Sequence, residues 1–244
     1  MSDPMPARRS RRPPVKTGFD PREQPAVVAN IDLDALPESA LTPDALRAAL
    51  SPARAWSVPL TGVQRDAPYP GREVPVLAAV LLALVMRPEG IRVVLTERAS
   101  HLHDHAGQIS FPGGRIETTD ASPEAAALRE AQEETGLPPD HVEVLGTMAP
   151  YVTATGFSIT PVVGLVRPGF SFVPDAFEVA EIFEVPLAFL MDPANHMHHR
   201  LALPEVRSRH FFSMTWERFF VWGATAGMLR NFYHLLRQAQ TTAS

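Results

Sequence analysis

Cysteine is absent from all 244 residues of the chain. That excludes disulfides and thiolate-held metals, and it suits a reducing, cytoplasmic setting. A run long enough to cross a membrane is also missing. Val74 to Met86 (VPVLAAVLLALVM) is strongly apolar but only thirteen residues long, where a spanning helix takes about 20. No membrane partner is expected. The stretch reads as a buried strand with its lead-in, and a core helix is the rival reading. Positive charge is not in excess either: the net charge is -5, so no basic field points to nucleic acid. Arg8, Arg9, Arg11 and Arg12 run into PPVKTG rather than into an apolar segment, so no secretory signal is expected.

What is present is 45% hydrophobic residues, ample for one core and near the upper end for one domain. Residues 1–25, rich in Pro and Arg, are expected to form a mobile tail. Residues 26–73 form an extension expected to pack on the domain, with a short helix in ALTPDALRAAL capped by Thr42. The compact body is expected over 74–240. In it, Ile91 to Leu95, Gln108 to Phe111, Val142 to Leu145, Thr160 to Val166 and the stretch from Glu178 to Phe183 read as strands. A last helix runs from about Thr225 to Gln240, with Ala226, Leu229, Phe232, Tyr233 and Leu236 as its apolar stripe. Strands interspersed with few helices point to an α/β sandwich rather than a doubly wound sheet.

The segment from Gly113 to Leu137, GGRIETTDASPEAAALREAQEETGL, carries the chemistry. Ser122 is placed to cap a helix, Pro123 suits its first turn, and Gly136 with Pro138-Pro139 ends it. Glu130, Glu133 and Glu134 stand at i, i+3 and i+4 and so share a face. Like charges at that spacing cost a few tenths of a kcal/mol per pair. Mg²⁺ or Mn²⁺, which seek oxygen donors, would offset that. A solvated acidic helix face is the plainer reading of REAQEE alone. The FPGG turn just upstream favours the metal, because glycine lets backbone approach a ligand closely. Arg129 is expected to tie the helix to the preceding loop or to another acid.

This segment resembles the Nudix box, a glycine, five residues, a glutamate, seven residues and REUXEEXGU with U apolar. Gly114, Arg129, Glu130, Ala131, Glu133, Glu134, Gly136 and Leu137 fall on it. Asp120 stands where the first glutamate is expected, and eight residues separate it from Arg129. Upstream, VLTERASHLHDHAGQISFPGG is similar to the pattern of the coenzyme A pyrophosphatase branch, through Leu95, Thr96, Arg98, Ala99, Gly107 and Phe111 to Gly114. The resemblance covers roughly residues 74 to 237.

It implies a Nudix fold, an α/β/α sandwich with a mixed β-sheet, and metal-dependent hydrolysis of coenzyme A or its thioesters as small-molecule substrates. The rival substrates are ADP-ribose or another nucleoside diphosphate derivative. A rival of another class is an inactive binding module, and a monomer or homodimer is expected. Glu130 and Glu134, with the Gly113 carbonyl, are the expected metal ligands. Glu133 is the first candidate for base or second ligand, Glu181 the next, and Glu178 a further one. Arg98 suits a phosphate contact, with a salt bridge to Glu97 or Asp104 as the alternative. His105 and Gln108 are expected to shape the substrate loop, and Thr155, within Thr153 to Phe157, to frame the adenosine or pantetheine part. Trp222-Gly223 reads as packing for the last helix. His196, His198 and His199 read as an exposed loop. The alternating His101, His103 and His105 leave zinc as a remote option.

Overall fold

The computed structural model describes residues 20–28, 33–51, 74–102, 107–153, 155–203 and 206–241. The apolar run is a strand, β2 (Val76–Arg87), and it is the spine of the molecule. Both of its faces are buried, as befits a central strand that includes parallel pairing. Val80, Leu82 and Leu84 enter one apolar cluster, and Ala79, Leu81, Ala83 and Val85 enter a second on the opposite face. β2 turns into β3 (Gly90–Arg98), its antiparallel partner. The strands then diverge. β4 (Ile109–Ser110) pairs with the far half of β3, and β5 (Gly113–Arg115) with the near half of β2. β6 (Val142–Thr147), β7 (Tyr151–Val152), β8 (Phe157–Val166) and β9 (Val179–Pro186) complete the sheet. β8 runs parallel to β2, whereas β9 lies antiparallel to β3. The sheet is therefore mixed.

Two layers cover it. The helix α2 (Pro123–Thr135) lies on the face with the small residues of β2. Ala126, Ala127 and Ala131 of α2 meet Ala79 and Ala83 there, which lets helix and sheet approach closely. The helix ends follow the sequence: the Ser122 side chain accepts from the Ala125 N–H at 3.2 Å, and Gly136 takes the left-handed conformation at φ 68°. On the other face lie α1 (Pro43–Ala49), α3 (Leu187–Leu190) and α4 (Ala224–Thr241), with a second sheet. α1 begins at Pro43 under a Thr42 cap, and α4 spans the expected C-terminal helix. Among the described residues no helix is long and apolar enough to cross a membrane.

The second sheet has the order β1 (Ala26–Val28), β10 (Met197–Leu203), β11 (Val206–Trp216), β12 (Phe219–Trp222), all antiparallel. It corrects three expectations. His198 and His199 stand on β10, not in a loop, and His196 and His199 are buried. His196 meets the Leu190 carbonyl through Nε2 at 2.7 Å and Arg230 through Nδ1 at 2.8 Å. Burial, with Arg230 adding to it, holds its pKa down at about 4. Trp222 lies on the face of β12 opposite the core residue Val221, edge-on to Phe211, rather than under α4. Finally, residues 20–28 are an ordered part of this sheet's cover: β1 pairs with β10, and the Gln24 carbonyl lies 3.1 Å from His199 Nδ1. The rest of the expected tail, 1–19, lies outside the described residues.

Candidate active site

α2 delivers its carboxylates to the glycine turn between β4 and β5. The Gly113 N–H donates to Glu134 Oε2 at 3.1 Å. A side-chain carbon at Gly114 would sit 2.5 Å from the Glu130 carboxylate and push it aside, and one at Gly113 would run into the Ala79 carbonyl, where backbone leaves no room. Glu134 is 8% exposed. Burial pushes its pKa up to about 7, against the Gly113 hydrogen bond, and the nearby charges of Glu130 and Glu178 push the same way. Glu130 is raised as well, first by burial, although Arg129 pulls it down. Burial thus makes both carboxylates harder to ionise unless a cation stands beside them.

Arg129 organises the approach to that pair. Its Nε and Nη2 hold both oxygens of Asp120 at 3.0 Å, and Nη1 reaches Glu130 Oε1 and Glu133 Oε2, each at 3.0 Å. Nη2 also donates to the Arg115 carbonyl at 3.2 Å. Asp120 is therefore able to orient Arg129 despite its shorter side chain. The turn before it absorbs the extra residue: Asp120 Oδ2 accepts from the Glu117 N–H at 2.8 Å, and the Asp120 N–H donates to the Glu117 carbonyl. Arg129 holds the Asp120 carboxyl below its ordinary pKa. Glu133 shares Arg129 Nη1 with Glu130, its charge raising the Glu130 pKa, and its side chain stays largely exposed.

The acid that joins the pair is Glu178. The loop before β9 is fastened to the end of α2: the N–H groups of Val173 and Asp175 donate to the Thr135 and Glu134 carbonyls at 2.9 and 3.0 Å. The Glu178 carbonyl accepts from the Ala99 N–H at 2.9 Å, and its side chain pairs with Arg98 at 3.7 Å. Arg98 in turn lowers the proton affinity of Glu134, so Arg98, Glu178, Glu130 and Glu134 form one charged group. Its sequence signal was weak, because EVAEIFE offers three glutamates and no motif to choose among them.

Glu181 is not part of it. Phe183 and Val185 of β9 face the core opposite α2, whereas Ile182 faces α2. Glu181 shares the Phe183 face by the two-residue period of a strand and is paired with Arg218. A register shift lies between Glu97, which meets Glu181, and Arg98, which meets Val179.

Of the other expected residues, Gln108 sits where β4 begins, its carbonyl accepting from the Arg98 N–H at 3.0 Å. Thr155 lies on the turn before β8, 3.0 Å from the Thr153 hydroxyl. That turn leads to Phe157, whose ring lies 5.9 Å from the Arg115 guanidinium. His103, Asp104 and His105 lie outside the described residues. His101 packs edge-on against Phe177 with ring centres 5.1 Å apart.

Among the described residues, no three acidic or histidine side chains are grouped so as to hold a metal ion by themselves. The donors present fit Mg²⁺ or Mn²⁺: a buried and a half-buried carboxylate, all oxygen, against a glycine turn, with their ionisation favoured by a cation beside them.

The NUDIX domain family matches residues 76–202 of the chain, which include this whole arrangement. The chain belongs to the Nudix family. Relatives described as "Uncharacterized Nudix hydrolase NudL", from Salmonella paratyphi B and Salmonella newport, are each 46% identical over 154 residues, spanning 63% of this chain and 79% of theirs. A crystal structure of the M. smegmatis Nudix hydrolase RenU covers 70% of this chain and 88% of its own, with 23% identity and a TM-score of 0.45. This Nudix protein is accordingly a hydrolase of pyrophosphate-containing substrates.

Proposed function

We propose that this Nudix hydrolase cleaves the diphosphate bond of coenzyme A or acyl-coenzyme A, giving 3′,5′-adenosine bisphosphate and 4′-phosphopantetheine or its acyl form. The observation that carries the chemistry is the buried Glu134 and half-buried Glu130 packed against Gly113 and Gly114. The branch is supported by Leu95, Thr96, Arg98, Ala99, Gly107 and Phe111 to Gly114, which match a pattern tied to coenzyme A.

In this reading Glu130 and Glu134, with the Gly113 carbonyl, hold Mg²⁺ or Mn²⁺. The cation, when bound, neutralises charge on the diphosphate and polarises the phosphorus under attack. Arg98 contacts a phosphate oxygen through its planar fork. Glu178 is the first candidate for the base that activates water, because it is partly exposed and its charge acts on both Glu130 and Glu134. Arg129 is a positioning residue that aims Glu130, and Glu133 shares that network as an outer carboxylate. Gln108, His105 and Thr155 belong to the segments that would contact the rest of the substrate.

The test is a product assay on coenzyme A, dephospho-coenzyme A and ADP-ribose, with Mg²⁺ or Mn²⁺ and then with chelator. The expected result is fastest turnover of coenzyme A, lost on chelation. Preference for ADP-ribose would overturn the branch and keep the chemistry. Binding without cation-dependent product would mark an inactive module.

A further inference from the structure

β12 is apolar on both faces. Phe219 and Val221 point into the core, while Phe220 and Trp222 point the other way. A strand with aromatic residues on its outer face needs something to cover them. Part of the cover is the Asp20–Gln24 segment. It is held in place by the Gln24 carbonyl at His199, by β1 on β10, and by Asp20, whose Oδ1 accepts from the Arg22 N–H at 2.9 Å. The cover is incomplete. A cavity of about 340 Å³ remains, lined by Asp20, Pro21, Arg22, Gly107, Gln108, Phe220 and Trp222 among the described residues. That is within the range of roughly 300–1,000 Å³ seen for small-molecule pockets.

Its chemistry is specific. The Arg22 guanidinium lies over the Phe220 ring, 5.6 Å from its centre, and among the described residues it meets no carboxylate. Arginine beside half-buried aromatic rings at a cavity suits a planar base that carries a phosphate. The cavity's Gly107 and Gln108 are tied to the candidate active site through Arg98: the Gly107 N–H donates to the Arg98 carbonyl, and the Gln108 carbonyl accepts from the Arg98 N–H, both at 3.0 Å.

We propose that this cavity is the subsite for the phosphorylated adenosine end of the substrate, with Arg22 as its phosphate contact and Phe220 and Trp222 as the wall against the base. The proposal rests on the coenzyme A reading for the identity of that end. The N-terminal segment then contributes a residue to substrate recognition rather than merely shielding the second sheet.

The test is calorimetric binding of 3′,5′-adenosine bisphosphate and of 5′-AMP in EDTA, for wild type, R22Q, R22K and W222A. Wild type is expected to prefer the bisphosphate. R22Q should weaken the bisphosphate about tenfold and leave 5′-AMP nearly unchanged, as expected for loss of a charge-assisted contact. R22K should restore part of the loss, and W222A should weaken both ligands. An unchanged melting midpoint in R22Q shows that the segment stays docked. Equal affinities in wild type and R22Q, or no binding of either probe to wild type, would overturn the subsite. Bisphosphate binding that depends on Arg22 without coenzyme A turnover would support the subsite and retire the substrate assignment. Turnover of coenzyme A with the same KM in wild type and R22Q would retire the subsite alone.

Discussion

Two groups of carboxylates and arginines lie back to back across the central sheet. On the α2 face, Glu130, Glu134 and Glu178 gather with Arg98 and Arg129. On the opposite face, Glu97 and Glu181 gather around Arg218. The residue types are the same and the outcomes differ. Glu134 is 8% exposed and its proton affinity is raised. The Arg218 and Glu181 side chains remain 61% and 40% exposed, so water screens them and the group acts as an ordinary surface salt bridge. In the proposed reading, burial against the glycine turn is what suits one acidic cluster to a cation, and composition alone does not distinguish the two.

The comparison is broken most sharply by matched substitutions. Glu134→Gln and Glu130→Gln should each lower kcat/KM on the order of 10³-fold, beyond the roughly 10–100-fold that loss of a supporting outer partner costs. Glu181→Gln should stay within about twofold, as surface changes away from a site do. Steady-state kinetics on one substrate checks all three, and a large loss in Glu181→Gln would place the chemistry on the wrong face. Next in size, Asp120→Asn leaves Arg129 without its bidentate anchor and should cost about 10–100-fold in turnover or cation affinity. A change under threefold would mean that Glu130 needs no such aiming.

A stability measurement sharpens the contrast further. Glu134 titrates at about 7 in the folded chain against an ordinary 4.5. Between those values the folded state keeps a proton that the unfolded state has released. Its contribution is therefore most favourable below pH 4.5 and is lost as the pH rises to about 7, by at most on the order of 3 kcal/mol. In chelator, the wild-type melting midpoint should fall over that window more steeply than that of Glu134→Gln. Parallel curves would show that Glu134 carries no burial penalty. The smallest effect is at the start of the helix: Ser122→Ala should cost about 1 kcal/mol in denaturant unfolding, and no loss would mean the cap is dispensable.

Much of this was legible in the sequence. α2, its cap and its stop follow from Ser122, Pro123 and Gly136, and the central strand follows from an apolar run too short for a membrane. Two features were not. The choice between Glu178 and Glu181 depends on which face of β9 meets α2, and EVAEIFE does not say which. The second sheet hid because its histidines resembled a polar loop, although the Phe211-Phe212 and Phe219-Phe220 pairs were a strand signal.

The most direct measurement is a titration of Mn²⁺ into wild type, Glu130→Gln, Glu134→Gln and Glu181→Gln, followed by electron paramagnetic resonance of the free ion. Binding should be strong in wild type and Glu181→Gln and largely lost in the other two. Undiminished binding in Glu130→Gln and Glu134→Gln would contradict the assignment of the buried pair as the cation's ligands.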